Sequence, residues 1–74
     1  MKRIPTESSS VASVGYDSRS KTLEVEFTSG SVYRYFDVPE SEYRGLLGAD
    51  SVGRYLNQSI KSTYRYGRLQ AAGR

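Results

Sequence analysis

Leu23, Val25 and Phe27 alternate with Glu24 and Glu26, which puts three apolar side chains on one face of an extended strand and two carboxylates on the other. After Thr28-Ser29-Gly30 the alternation resumes at Ser31-Val32-Tyr33-Arg34-Tyr35, so the two segments read as a β-hairpin. Two turns compete to set its register. A two-residue Ser29-Gly30 loop would place Val25 opposite Arg34 and leave Tyr33 and Tyr35 beside the glutamates. A three-residue loop with Gly30 left-handed in third position, and a bulge beside it, sets Phe27 against Ser31, Val25 against Tyr33, Leu23 against Tyr35 and Glu24 against Arg34. The second is preferred, because it makes an aliphatic–aromatic face and an opposite-charge pair together, whereas the first buries an arginine. Tyr33 and Tyr35 then belong to the core or its rim.

The flanking segments extend this hairpin into a domain. Val11 to Tyr16 is β-branched and bounded by turn residues, and Gly15 within it marks a bend or a close backbone approach. Strands are expected over roughly 10–16, 22–28 and 31–36. Pro39 ends the third and opens a helix through Leu47, with Asp37 as candidate cap and Tyr43, Leu46 and Leu47 on one face as a lid. A second helix, capped by Asp50 or Ser51, runs to about Lys61 with Val52, Tyr55, Leu56 and Ile60 at helical spacing. Gly53 inside it points to a close contact. The expected fold is α+β: a three-stranded antiparallel β-meander followed by two short helices packed on one face, with a short C-terminal segment from Tyr64 to Leu69, extended or a fourth short strand, whose place in the sheet stays open. Residues 1–8 are a loosely ordered lead-in, 9–69 one domain, and 70–74 a disordered tail.

Composition narrows the chemistry. The 74 residues hold one small core and contain neither Cys nor His, which removes disulfides, thiolate sites and nearly every structural zinc site. Residues 1–50 carry six Lys/Arg against eight Asp/Glu, whereas 51–74 carry Arg54, Lys61, Arg65, Arg68 and Arg74 with no acid. That asymmetry suits a polyanionic partner, although a merely solvated basic surface has the same signature. Neither a signal peptide nor a membrane span is expected, and the default is a cytoplasmic monomer.

The ordered set Gly15-Tyr16-Asp17, Leu23-x-Val25-x-Phe27-x-Ser29-Gly30, Val32-Tyr33-x-Tyr35-Phe36-x-Val38-Pro39, Tyr43-x-x-Leu46-Leu47 and Ser51-x-Gly53-Arg54-Tyr55-x-Asn57-x-x-Ile60-Lys61-x-x-Tyr64 resembles the KTSC domain. That is a short module named for its occurrence at the C-terminus of some lysyl-tRNA synthetases and also found as a small free-standing bacterial protein. The likeness covers about residues 8–69; Leu56 stands where an aromatic is commoner and Thr63 where arginine or glycine is. The resemblance implies no established activity. It implies RNA binding as an expectation, carried by the synthetase association and a YxY motif that Tyr33 and Tyr35 match.

Tyr33 and Tyr35 therefore have two readings, base stacking or core, and the register favours core. The candidate nucleic-acid surface is Arg54, Asn57, Lys61, Tyr64, Arg65, Tyr66 and Arg68. Arg54, Asn57 and Lys61 at i, i+3, i+7 share a helix face that can offer cations and an amide to phosphates. The opposing reading has Tyr64 and Tyr66 anchoring the C-terminal segment, and Asn57 satisfied internally. No nucleophile–base pair, metal cluster or phosphate loop is legible. A non-enzymatic module without cofactor is expected, binding RNA weakly, tRNA included. The alternative is a protein-interaction or assembly module using the sheet face or edge.

Overall fold

The computed structural model describes residues 2–70. Five antiparallel strands lie in chain order across one sheet: β1 (Arg3–Pro5), β2 (Val11–Asp17), β3 (Thr22–Phe27), β4 (Val32–Tyr35) and β5 (Tyr66–Gln70). Between β4 and β5 come helix α1 (Glu40–Leu47), helix α2 (Val52–Tyr55) and a π-helical turn (Leu56–Ile60). The expected α+β meander is there, but with five strands rather than three.

The two additional strands are the edges, and the hydrophobic pattern misses the first of them for a physical reason. β1 is three residues ending in Pro5, too short to alternate, and proline is tolerated at a sheet edge. Its partners are Gly15, Val14 and Ser13. Gly15 lets it approach: a Cβ there would lie 2.6 Å from the Lys2 carbonyl oxygen. β5 is the extended segment whose sheet position periodicity left open; it pairs with β4, Tyr66 opposite Tyr35 and Arg68 opposite Tyr33. Of the expected tail from Gln70 to Arg74, Gln70 closes β5, and 71–74 lie outside the described residues.

The central hairpin adopts the three-residue turn. Gly30 has φ 102°, its N–H donates to the Phe27 carbonyl at 2.9 Å, and the Phe27 N–H donates to the Ser31 carbonyl at 2.8 Å. Leu23 then pairs with Tyr35, Glu24 with Arg34 and Val25 with Tyr33. The core lies between this face and the helices: Val11, Val14, Leu23, Val25, Tyr35, Val38, Leu46, Leu56 and Ile60 are all buried. On the opposite face Glu24 is not the solvated carboxylate that alternation suggests. It is 7% exposed, held between Arg34 Nε at 3.0 Å and Arg3 Nε at 3.3 Å. The edge strand that supplies Arg3 is what desolvates it.

The helices depart from expectation in three places. Asp37 does not cap α1: Pro39 occupies the N-cap without a side-chain bond, and Asp37, at φ 58°, turns its carboxylate to Arg65 at 3.1 Å. Leu47 is 42% exposed, so the lid on this helix is Leu46 together with Tyr43, which stacks on Tyr16 at 5.1 Å. The second helix is regular only for its first turn, where the Ser51 side chain accepts from the Arg54 N–H. It then widens, the Lys61 N–H bonding the Leu56 carbonyl at 2.9 Å. Gly53 sits against Ser10, whose Oγ would be 2.7 Å from an added Cβ.

Replacing Gly15 by Ala sets a methyl group against the backbone of Lys2 and must displace β1. Urea denaturation should show a loss of roughly 1–3 kcal/mol. Gly48→Ala, whose methyl would lie 3.6 Å from its nearest neighbour, should change stability by less than about 1 kcal/mol.

Candidate functional site

The helical cover ends before the sheet does. α2 is a single turn, and the π turn after it leads the chain back toward β5, so the end of the inner face nearest the hairpin turn stays open. There Phe27, Tyr33, Tyr35, Tyr66 and Lys61 line a cleft of about 480 Å³. Tyr35 is 1% exposed and belongs to its buried floor, while Tyr66 is 57% exposed and Tyr33 is half-buried. The backbone pairing thus follows the expected register, and Tyr35 belongs to the core. Tyr33 shares the face but stands at the rim.

The rings form a connected cluster. Tyr33 meets Tyr66 at 5.5 Å between centroids and Tyr35 at 6.4 Å, and Tyr35 meets Tyr66 at 5.6 Å. Phe27 stands edge-on to Tyr33, 5.5 Å away at 87°, and the Lys61 ammonium lies over the Phe27 ring at 5.4 Å, close enough for a cation–π attraction. Hydroxyl groups of Ser10, Thr28, Ser29 and Ser31 complete the wall. Rings, hydroxyls and an ammonium can stack, hydrogen-bond and neutralise an anion. Among the described residues no group of three or more His, Cys, Asp or Glu could hold a metal ion.

The residues nominated from sequence do not form one surface. Lys61 and Tyr66 reach the cleft, and Arg68 stands opposite Tyr33 on β5. Arg54 lines a separate depression with Tyr55 and Gln58. The shared helix face of Arg54, Asn57 and Lys61 is lost because the π turn adds a residue to the helical repeat: Ile60 and Lys61 both follow Leu56 by one turn, which carries Lys61 toward the sheet. Asn57 is exposed, and its side chain forms no hydrogen bond among the described residues. Arg65 pairs with Asp37 and lies 5.8 Å from the Phe36 ring centre, and Tyr64 donates to Glu42 at 3.0 Å. Sequence reasoning passed over Phe27 and the hydroxyl turn beside it. The signal was there in Phe27-Thr28-Ser29-Gly30-Ser31, a ring followed by four small residues, three with hydroxyls.

Glu42 ties the helices to the C-terminal segment, accepting from Tyr55 at 2.6 Å as well as from Tyr64. Its hydrogen bond raises the Tyr55 pKa, and burial followed by the same carboxylate raises that of Tyr64. Burial, with Tyr33 and Tyr66 adjacent, pushes the Tyr35 hydroxyl up to about 12.

Comparison with known proteins places these features in a family. The profile of the KTSC domain matches residues 7–64. An uncharacterized protein of Stutzerimonas stutzeri is 51% identical over 70 residues, spanning 93% of this chain and 99% of its own. A lysine–tRNA ligase of Nostoc punctiforme is 40% identical over 66 residues, which are 89% of this chain and 12% of the ligase. The crystal structure of a KTSC domain protein from Yersinia pestis superposes with a TM-score of 0.90 at 32% identity, covering 93% of this chain and 97% of that one.

The tyrosine values carry a pH dependence. A tyrosine whose folded pKa exceeds its unfolded value contributes stability that is complete below about pH 10 and is lost as pH rises through the folded value. Urea midpoints should therefore fall between pH 10 and about 12, and the fall should be smaller in Tyr35→Phe. An equal fall in both proteins would assign the alkaline loss to the other tyrosines.

Proposed function

The chain belongs to the KTSC domain family, and from that premise we propose that it is a small cytoplasmic, non-enzymatic module that binds RNA, tRNA included, weakly through cations of its C-terminal part. The observation that carries this reading is the state of those cations. Arg3, Arg34, Arg44 and Arg65 are each paired with a carboxylate; Lys2, Arg19 and Lys21 have no such partner among the described residues, and in the C-terminal part the same holds of Arg54, Lys61 and Arg68. Two of these last three stand at or beside an open aromatic cleft. Unpaired cations exchange counterions for phosphates, the sequence-independent part of nucleic-acid affinity. The lysine–tRNA ligase similarity supports a tRNA-related context.

Asn57, Tyr64 and Arg65 contribute less. Tyr64 and Arg65 already have intramolecular partners, and Asn57 offers a single exposed amide. The competing reading, a protein-interaction module, would use the edge strands, where Ile4 and Leu69 are exposed.

Fluorescence anisotropy with a labelled single-stranded RNA and a tRNA decides between them. Three phosphate contacts predict a loss of roughly 20-fold in affinity between about 50 and 200 mM salt. The triple reversal Arg54→Glu, Lys61→Glu, Arg68→Glu should lower low-salt affinity at least about 10-fold. Absence of binding at low salt, or binding indifferent to the reversal, would overturn the proposal.

A further inference from the structure

We infer that the cleft between Phe27, Tyr33 and Tyr66 receives one unstacked base of a single-stranded RNA, while Lys61 and Arg68 meet the phosphates on either side of it. This rests on the RNA reading above and adds to it a site where the base itself is held. Its volume of about 480 Å³ falls in the range of sites that enclose most of a small ligand, roughly 300–1,000 Å³. The walls suit a planar aromatic guest. Tyr33 and Tyr66 are tilted 33° to each other with centroids 5.5 Å apart, and Tyr66 is exposed enough to swing over an entering ring.

Charge and rim chemistry favour a nucleotide over an apolar peptide side chain. The cleft holds no carboxylate among its lining residues, and its ammonium already lies over a ring at 5.4 Å, where it can exchange that contact for a phosphate. Arg68 on the neighbouring strand supplies a second donor-only group beside Tyr33. The serine and threonine hydroxyls of the wall each donate and accept, so they can satisfy the polar edge of any base. The guest is therefore held chiefly by stacking, which is tolerant of sequence.

The experiment uses the full chain and an RNA of about eight nucleotides, carrying a central 2-aminopurine or, in a second strand, an abasic residue at every position. Wild type should quench the 2-aminopurine and bind the base-bearing strand roughly 5- to 150-fold more tightly than the abasic one. Tyr66→Ala should remove most of that preference while leaving the salt dependence intact, and Tyr66→Phe should restore it. Because Tyr66 is largely exposed on an edge strand, its circular dichroism and urea midpoint serve as the folding control. Salt-dependent binding of equal strength to both strands would overturn base insertion and leave backbone binding standing. Failure to bind either strand at low salt would overturn both.

Discussion

Gly30, at φ 102°, fixes how β3 faces β4, and almost every other feature inherits that register. The turn it closes takes three residues, and a one-residue slip would send Tyr33 and Tyr35 to the face of Glu24 and Glu26. In the register observed, Leu23, Val25 and Tyr35 join one core, and Glu24 meets Arg34. β5 then docks on β4 so that Tyr66 lies beside Tyr35, and β1 on the other edge brings Arg3 to Glu24. The aromatic cleft and the ion pairs around buried Glu24, on the two faces of the sheet, are thus consequences of the same turn.

The second determinant is the shortness of the cover. A five-stranded sheet asks for more than one eight-residue helix and a single helical turn, and the part left bare is lined by rings that tolerate water at one edge. The π turn is the device that makes this region chemically distinct. By bonding Lys61 to Leu56 it moves a cation off the outer helix face and onto Phe27, a typical use of such turns at functional positions. Charge and aromatic surface, separate in the sequence, meet there.

Much of this was legible from residue order. The alternation from Leu23 to Tyr35, Pro39 opening a helix and Ser51 capping the next are local effects, and the fold repeats them. What escaped was non-local. β1 has three residues and no alternation, and it exists because Gly15 admits it. The position of β5 depends on β4 having a free edge. Charge and helical spacing point to candidate residues but cannot reveal that the helix widens after Tyr55 or that Arg65 is engaged by Asp37. Tyr33 shows the limit most clearly: pairing with Val25 fixed its face, while the length of the helices, not the pairing, decided whether that face was covered.

If the open end of the inner sheet face is the binding surface, backbone amide NMR during titration with a short single-stranded RNA will show it there. Shifts should concentrate at Phe27 to Tyr33, around Lys61, and from Tyr66 to Arg68, and leave Glu24 and Gly15 on the opposite face unmoved. Shifts confined to that opposite face or to the depression beside Arg54, with the cleft amides unchanged, would contradict it.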